Sequence, residues 1–574
     1  MRRAWEIRQT EDAAAEDLAR ALGVAPLIAR LLLNRGVSDA DAGRRFLSPS
    51  LQDLHDPFRM CHMDRAVERV LTALRRGEQV AVWGDYDVDG ITATSLLLLF
   101  LRRIGLRCSY HIPSRLEEGY GLNTPAIDDI AAAGSSLLIT VDCGVSDVEP
   151  IAHAVERGLD VLVLDHHQVP ETLPAAVGIL NPHRPDCGFP TRDLAAVGVA
   201  FNLVMALRAE LRRRDAFIDG EEPNLREVLD LVALGTVADI VPLLDENRII
   251  TRFGLEELSA GRRPGVAALK EVAGLFGGAV SAGQVAFRLA PRINAAGRLG
   301  SASKGVELLT TRSYSTALKL ARELDAVNAK RQGIEQTIYR QAVEQAERQT
   351  GGGKPGVLVL ASEQWHVGVV GIVASRLVEK FGCPVVLVSL AGEAGRGSAR
   401  GIDGVHLYDA MVNCADHLLA YGGHRMAAGL SIERASVERF RDAFGQAIEQ
   451  QRAGQVLRKT VHIDAAVQPA QWQDAEVSTL AQLAPHGLGN PEPLFVGRGL
   501  ELRSVRAVGR EEPHHLKAVC IDGERRLDVI GFRMADRIRE IDGPMDLVYV
   551  PEFNTWEGQT NLQLRLIDLR PSRG

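Results

Sequence analysis

The chain has 574 residues, 46% of them hydrophobic and 24% charged, too long for one core and too ordinary in composition for a collagenous, mucin-like or wholly disordered protein, so two to four domains are expected. Its 66 Lys and Arg against 74 Asp and Glu leave a net charge of −8, which excludes a global basic field and confines any nucleic-acid binding to local clusters. The start, Met1-Arg2-Arg3-Ala4-Trp5-Glu6, lacks the apolar core of a secretory signal, and the strongest apolar run, Leu96 to Leu101 and its neighbours, is too short to span a bilayer. A cytoplasmic protein without membrane contact is expected. The seven cysteines are scattered without a close pair in sequence, which argues against a zinc ribbon and a disulfide framework and predicts reduced, mostly core thiols.

Residues 1–60 carry helical patterning around Asp12 to Leu33, broken by Ser48-Pro49-Ser50 and Asp56-Pro57, and read as a small helical entry segment without chemistry. From Val80 to about Leu180, strand-like runs (Val80 to Trp83, Leu137 to Val141, Val161 to Leu164) alternate with helix-like stretches (Thr92 to Arg103, Thr124 to Ala133, Pro150 to Arg157). That rhythm predicts an α/β fold with a parallel sheet. Helical patterning continues over Leu194 to Leu211 and Leu225 to Leu234. It returns from about Ser315 to Gln349, ending at a glycine cluster, Gly351-Gly352-Gly353; a helix of that length would reach roughly 50 Å and join domains. A second, smaller α/β unit follows, with strands at Val357 to Leu360 and Pro384 to Leu390 around a helix at Val369 to Phe381. Past Val461, five short alternating segments from Leu500 to Leu569 predict a β-barrel of the OB type. The expected divisions are therefore 1–60, a catalytic unit at 61–310, a connecting helix and linker at 311–353, the smaller unit at 354–455, and the barrel at 456–574.

Asp85-Tyr86-Asp87-Val88-Asp89-Gly90 places three carboxylates at alternate positions directly after a strand, the oxygen-rich set that hard divalent cations take. An EF-hand loop begins the same way, but its twelfth position must be a chelating Glu and is Leu96 here. Taken alone, the run reads equally as a solvated acidic turn. Two further clusters change the balance: Asp142 follows the strand ending at Val141, and Asp165-His166-His167 follows the strand ending at Leu164. The carboxyl ends of parallel strands share one crevice, so the three clusters are expected to converge. Asp239, flanked by apolar residues in Val237-Ala238-Asp239-Ile240-Val241, needs a cation partner if buried. Several Asp with His and no Cys suit Mn(II) or Mg(II) better than structural zinc. Two such ions, about 4 Å apart, would activate water and hold both sides of a phosphoryl displacement.

These residues resemble the DHH phosphoesterases. The run Asp85 to Gly90, Val141-Asp142-Cys143-Gly144, Asp165-His166-His167 and Val237-Ala238-Asp239 look like four ordered motifs of that family, and Gly422-Gly423-His424-Arg425-Met426-Ala427-Ala428-Gly429 looks like the signature of its associated domain. Trp365 to Arg376 and Gly489-Asn490-Pro491-Glu492-Pro493 are similar to the branch that degrades single-stranded DNA from its 5′ end. His486 departs from the aromatic residue expected there, which touches only local packing. The resemblance, which runs from about residue 60 onward, implies two Mn(II) or Mg(II) ions held by Asp87, Asp89, Asp142, His166 and Asp239. Asp85 and His167 lie at or beside them, with Asp142, His166 and His167 as the catalytic residues. His167 could instead orient a ligand or touch phosphate. It also implies action on single-stranded DNA with a 5′-phosphate in repair and recombination, beside a RecQ-type helicase and a single-strand-binding protein; four connected units around a strut need no second chain, so a monomer is expected. Related phosphodiesterases acting on short RNA or cyclic dinucleotides, and non-catalytic strand-binding homologues, are the alternatives.

An acidic protein that holds a polyanion must gather its positive charge. Arg288, Arg292, Arg298, Lys304, Arg396, Arg400 and Arg425 are candidates, with Arg292, Arg298 and Arg400 in Gly- and Ala-rich segments where guanidinium and backbone groups can approach phosphate. By resemblance, Arg115, Ser398 and Arg400 would recognise the terminal 5′-phosphate and His424 would face DNA. Tyr120, between two glycines, reads equally as a base-stacking or duplex-blocking residue and as a turn tyrosine. In the barrel, Phe553 and Trp556 flank Asn554-Thr555 as candidates to stack bases, each worth roughly 1–3 kcal/mol; core packing is the alternative for Phe553, and Trp556, next to Glu557-Gly558, reads as exposed.

Overall fold

The computed structural model describes residues 3–115, 118–119, 121–217, 222–452, 460–509, 513–556 and 558–572. Five parallel strands form the first sheet in the spatial order Arg107–His111, Gln79–Trp83, Ser135–Val141, Asp160–Leu164, Gly178–Leu180. The strands are apolar on both faces because each face is covered. Helices Met63–Arg76, Val88–Arg103 and Ala196–Arg213 close one side, burying Val70, Leu97 and Leu203, while Thr124–Ala132 and Val148–Glu156 close the other over Ala81, Leu138 and Val163. All polar chemistry is therefore pushed to the strand ends.

The expected long helix spans Tyr314–Thr350, 37 residues. It is amphipathic in two registers. Ala317, Leu320, Ala321 and Leu324 complete the core of the first domain, and Ile338, Ala342 and Ala346 complete the core of the second. Between them sits a buried polar step in which Arg331 donates to Asn328 at 2.6 Å and pairs with Glu335, itself bound to Arg376 at 2.9 Å. The second domain is a mixed five-stranded sheet in the order Ala420–Gly423, Ala427–Glu433, Ala394–Arg400, Val385–Ala391, Leu358–Ser362. Only its last pair is parallel.

The C-terminal strands close a barrel because Phe495–Val508 pairs with both His515–Asp522 and Met545–Trp556. The N-terminal segment packs on this barrel: Ala4–Ile7 runs parallel to Thr460–Ile463, and Leu18, Ile28, Leu31 and Phe46 share a core with Trp472, Phe495 and Leu547. Arg248, 2% exposed, joins N-terminal segment, barrel and catalytic domain. It donates to the carbonyls of Phe46, Leu483, Gln482 and Ala484 at 2.9–3.0 Å and lies 3.8 Å over the Phe46 ring.

Candidate metal centre

The chain leaves strand Gln79–Trp83 and re-enters helix at Val88, four residues earlier than the apolar pattern indicates, because Asp87 caps that helix. One Asp87 oxygen accepts from the backbone N–H of Asp89 at 2.9 Å and of Gly90 at 3.2 Å, two donors that a helix start otherwise leaves unpaired. Position 90 must be glycine: a Cβ there would come within 2.5 Å of the Asp85 nitrogen. Asp89, 1% exposed, accepts from Ala196 N at 2.6 Å and Val197 N at 2.8 Å, so the positive end of helix Ala196–Arg213 faces its carboxylate. Asp142 follows its strand in a left-handed conformation, φ 64°, a strained geometry of the kind that gathers at functional sites. Asp239 caps the C-terminal end of helix Leu229–Ala238.

These separate elements meet. Ligating atoms of Asp85, Asp87 and Asp142 lie within 4.8 Å of one another, as do those of Asp89, His166 and Asp239, and those of Asp142, His166 and His167. His166 ties the sets together, its Nε2 3.2 Å from Asp142 and 3.9 Å from Asp89 and its Nδ1 3.6 Å from Asp239. Burial and the crowding of like charge raise four carboxyls of these sets: Asp89 is pushed up to about 7, Asp239 to about 9, and Asp85 and Asp142 well above the usual range. The buried Oδ1 of Asp85 accepts no hydrogen bond. A desolvated basket of oxygen and imidazole donors, without sulfur and with an acceptor left over, fits hard divalent cations.

Asp165 plays another part, which the sequence did not separate from its neighbours. Only 1% exposed, it accepts from the backbone of Val145, His166 and His167 and from the His167 ring. Burial would raise its pKa, yet the hydrogen bond and charge of His167 and the backbone N–H groups hold it at about 2. In return, His167 is held at about 9: burial works against its charge, but Asp165, Asp239 and Asp85 outweigh it. His166 goes the other way, to about 4, because it is buried beside a cationic His167.

Next to the basket lies a cleft of about 1040 Å³ between the two α/β domains. Asp87 and His167 line it from one side together with Arg115 and Arg298, and Ser398, Arg400 and His424 line it from the other. Strand Ala394–Arg400 pairs with Ala427–Glu433, bringing the two glycine-rich segments of the second domain side by side. Arg400 donates to Ser398 Oγ at 2.8 Å and to Ala399 O at 2.7 Å, while Arg298 donates to Gly368 O at 3.1 Å. Burial and the neighbouring guanidinium groups of Arg115, Arg331 and Arg400 push Arg298 down to about 10. Arginines held this close together repel one another, a repulsion that a bound anion would relieve.

Other expected DNA contacts are not gathered here. Arg292 is paired with Asp325 on the long helix at 2.9 Å and Lys304 with Glu323 at 2.7 Å, and neither lines the cleft. Trp556 ends a barrel strand opposite Gln559, but its side chain, like the whole of Tyr120, lies outside the described residues. Phe553, which reads either as a base-stacking or as a core residue, is 38% exposed. Among the described residues no helix is long and apolar enough to cross a membrane.

Residues 79–236 match the DHH family, N-terminal domain, residues 354–450 the DHHA1 domain, and residues 463–568 the RecJ OB domain. The single-stranded-DNA-specific exonuclease RecJ of Escherichia coli is 38% identical over 99% of this chain and 98% of its own length, and that of Salmonella typhimurium 39% identical over 95% and 96%. The crystal structure of RecJ from Thermus thermophilus in complex with Mn2+ superposes with a TM-score of 0.83 at 30% identity, covering 100% of this chain and 80% of that one; the same protein has also been solved with Mg2+. Three family domains in order, with relatives 38% and 39% identical over nearly the whole chain, leave one assignment: the chain belongs to the RecJ family of DHH proteins.

Proposed function

We propose that this protein is a metal-dependent exonuclease that hydrolyses single-stranded DNA from its 5′ end, releasing mononucleotides, in DNA repair and recombination. The observation that carries the reading is the shared wall of one cleft: Asp87 and His167 of the carboxylate basket and the anion-binding Arg115, Arg298, Ser398 and Arg400 line the same space. A terminal phosphate seated among the arginines brings the adjoining phosphodiester to the basket, which sets the cut at the end of the strand rather than within it.

Asp85, Asp87, Asp89, Asp142, His166 and Asp239 would hold Mn(II) or Mg(II), two ions in all. When bound, such ions supply Lewis-acid activation of water and neutralise phosphate charge. The chain's own groups do the positioning. Asp165 fixes the ring of His167 through Nδ1 and favours its charged form, which would set a positive charge on the cleft wall that phosphate approaches. Arg400, oriented by Ser398, and the partly desolvated Arg298 grip the end phosphate. Single-strand selectivity is steric, set by the width of the cleft between the two domains, and the barrel guides the incoming strand. Long strands opened by a helicase and coated by a single-strand-binding protein are the expected substrates.

The test is Asp142→Ala in the full chain, assayed with Mn(II) on 5′-labelled single-stranded DNA. Loss of cleavage with retained strand binding is expected, and retained cleavage overturns the ligand assignment.

A further inference from the structure

The segment Pro291 to Arg298 drew notice for its arginines, yet its asparagine touches the metal loop. Helix Ala290–Leu299 lies directly on residues 86–88: Asn294 Oδ1 accepts from the backbone N–H of Val88 at 3.1 Å. At Gly297, an added Cβ would stand 2.5 Å from the Tyr86 carbonyl. The helix that begins at Val88 has three first-turn donors to satisfy. Asp89 and Gly90 are served by Asp87, the next, Ile91, already bonds the Asp87 carbonyl at 2.9 Å, and Val88 alone is served from outside, by Asn294.

We infer that Asn294 is a positioning residue of the metal centre, holding the Asp85 to Asp89 turn so that its carboxylates stay available to the ions. Asparagine is a poor helix former in the middle of a helix, and its use there is explained by this bond. Without its acceptor, the Val88 N–H is left inside a turn whose nearby acceptors are the aspartates, and a carboxylate that turns toward it leaves the orientation in which it faces the ions. Arg298 stands four residues on, on the same face of the same helix. The helix that sets the metal turn thus also carries an arginine of the phosphate cleft, and the two half-sites keep a fixed spacing. Position 294 therefore acts on metal affinity, through Asp87 and Asp89, rather than on DNA.

This inference rests on the metal-dependent reading above, and the experiment separates the two. Mn(II) binding to the full chain without DNA is followed by electron paramagnetic resonance of the free ion, for the wild type, Asn294→Ala and Asn294→Asp. The alanine variant is expected to bind Mn(II) about tenfold more weakly, as for other residues that orient metal ligands. The aspartate variant, which keeps an acceptor at the same reach, should recover most of that loss. Activity lost at low Mn(II) should return as Mn(II) is raised, with KM for single-stranded DNA unmoved. Should the alanine variant fail to fold, Asn294→Ser, whose hydroxyl is too short to reach Val88, carries the same expectation. Equal Mn(II) affinity in wild type and alanine variant, or a loss confined to KM for DNA, overturns the inference. A wild type that binds no Mn(II) overturns the metal reading itself.

Discussion

His167 Nδ1 lies 2.7 Å from the carboxylate of Asp165, and that bond links the charge states of the two. Asp165 is held at about 2 and His167 at about 9, so each favours the charged form of the other in the metal-free protein. Asp165 spends its remaining capacity on the backbone of Val145, His166 and His167, which shapes the turn carrying both histidines.

Asp165→Asn keeps the shape but removes the charge. We expect turnover to fall roughly 10- to 100-fold, the worth of one charge-assisted hydrogen bond. Binding of single-stranded DNA should change little. A steady-state comparison of kcat with strand affinity by fluorescence anisotropy checks this; equal losses in both would place Asp165 on the DNA path instead.

The crowded carboxyls make the metal-free protein sensitive to pH. Asp89 and Asp239 have folded pKa values raised to about 7 and about 9, so the stability tied to their protonation is complete below the ordinary carboxylate value and is lost as pH rises through 7 and then 9. His167, raised to about 9, works in the same sense, whereas His166, lowered to about 4, acts only below its ordinary value of about 6.5. In EDTA the melting temperature should therefore fall from pH about 6.5 to 9. With Mn(II) the decline should flatten, and Mn(II) addition at pH 7 should release protons, measurable by calorimetry in buffers of different ionisation enthalpy.

Arg400→Ala should damage recognition of the strand end. Arg400 is half-buried, its guanidinium group oriented by Ser398 and close enough to Arg115 for repulsion to add to the lowering of its pKa by burial, a combination that an anion would relieve. Cleavage of 5′-phosphorylated strands should drop by about one to two orders of magnitude, the worth of a charge-assisted hydrogen bond. Cleavage of 5′-hydroxyl strands should drop much less. A uniform loss on both ends would mean that Arg400 grips the strand rather than its terminus.

At the domain joint, Arg248→Ala leaves four carbonyls without their donor and vacates the face of Phe46. The expected loss is about 2–4 kcal/mol of stability. It should appear in denaturant melts as separation of the barrel transition from that of the catalytic domain, with Mn(II) affinity retained.

Much of this was legible in the sequence because it obeys short periods. The long helix was placed to within a residue at each end, Tyr314–Thr350 against Ser315 to Gln349, since few breakers interrupt it. The convergence of Asp85 to Asp89, Asp142 and His166 followed from their positions after parallel strands. What stayed hidden depends on tertiary contacts. The helix start at Val88 was missed because its cap, Asp87, is itself one of the chemical residues. Asn294 lies 206 positions from the backbone it serves, and its only local trace is an asparagine inside a helix. Nor does patterning reveal that Leu31 and Phe46 of the N-terminal segment belong to the core of the barrel.

Anomalous scattering at the manganese edge, from crystals of the full chain soaked in Mn(II), tests the central claim most directly. Two peaks within the space framed by Asp85, Asp87, Asp89, Asp142, His166 and Asp239 are expected. Peaks only elsewhere, or none in that space at saturating Mn(II), would contradict it.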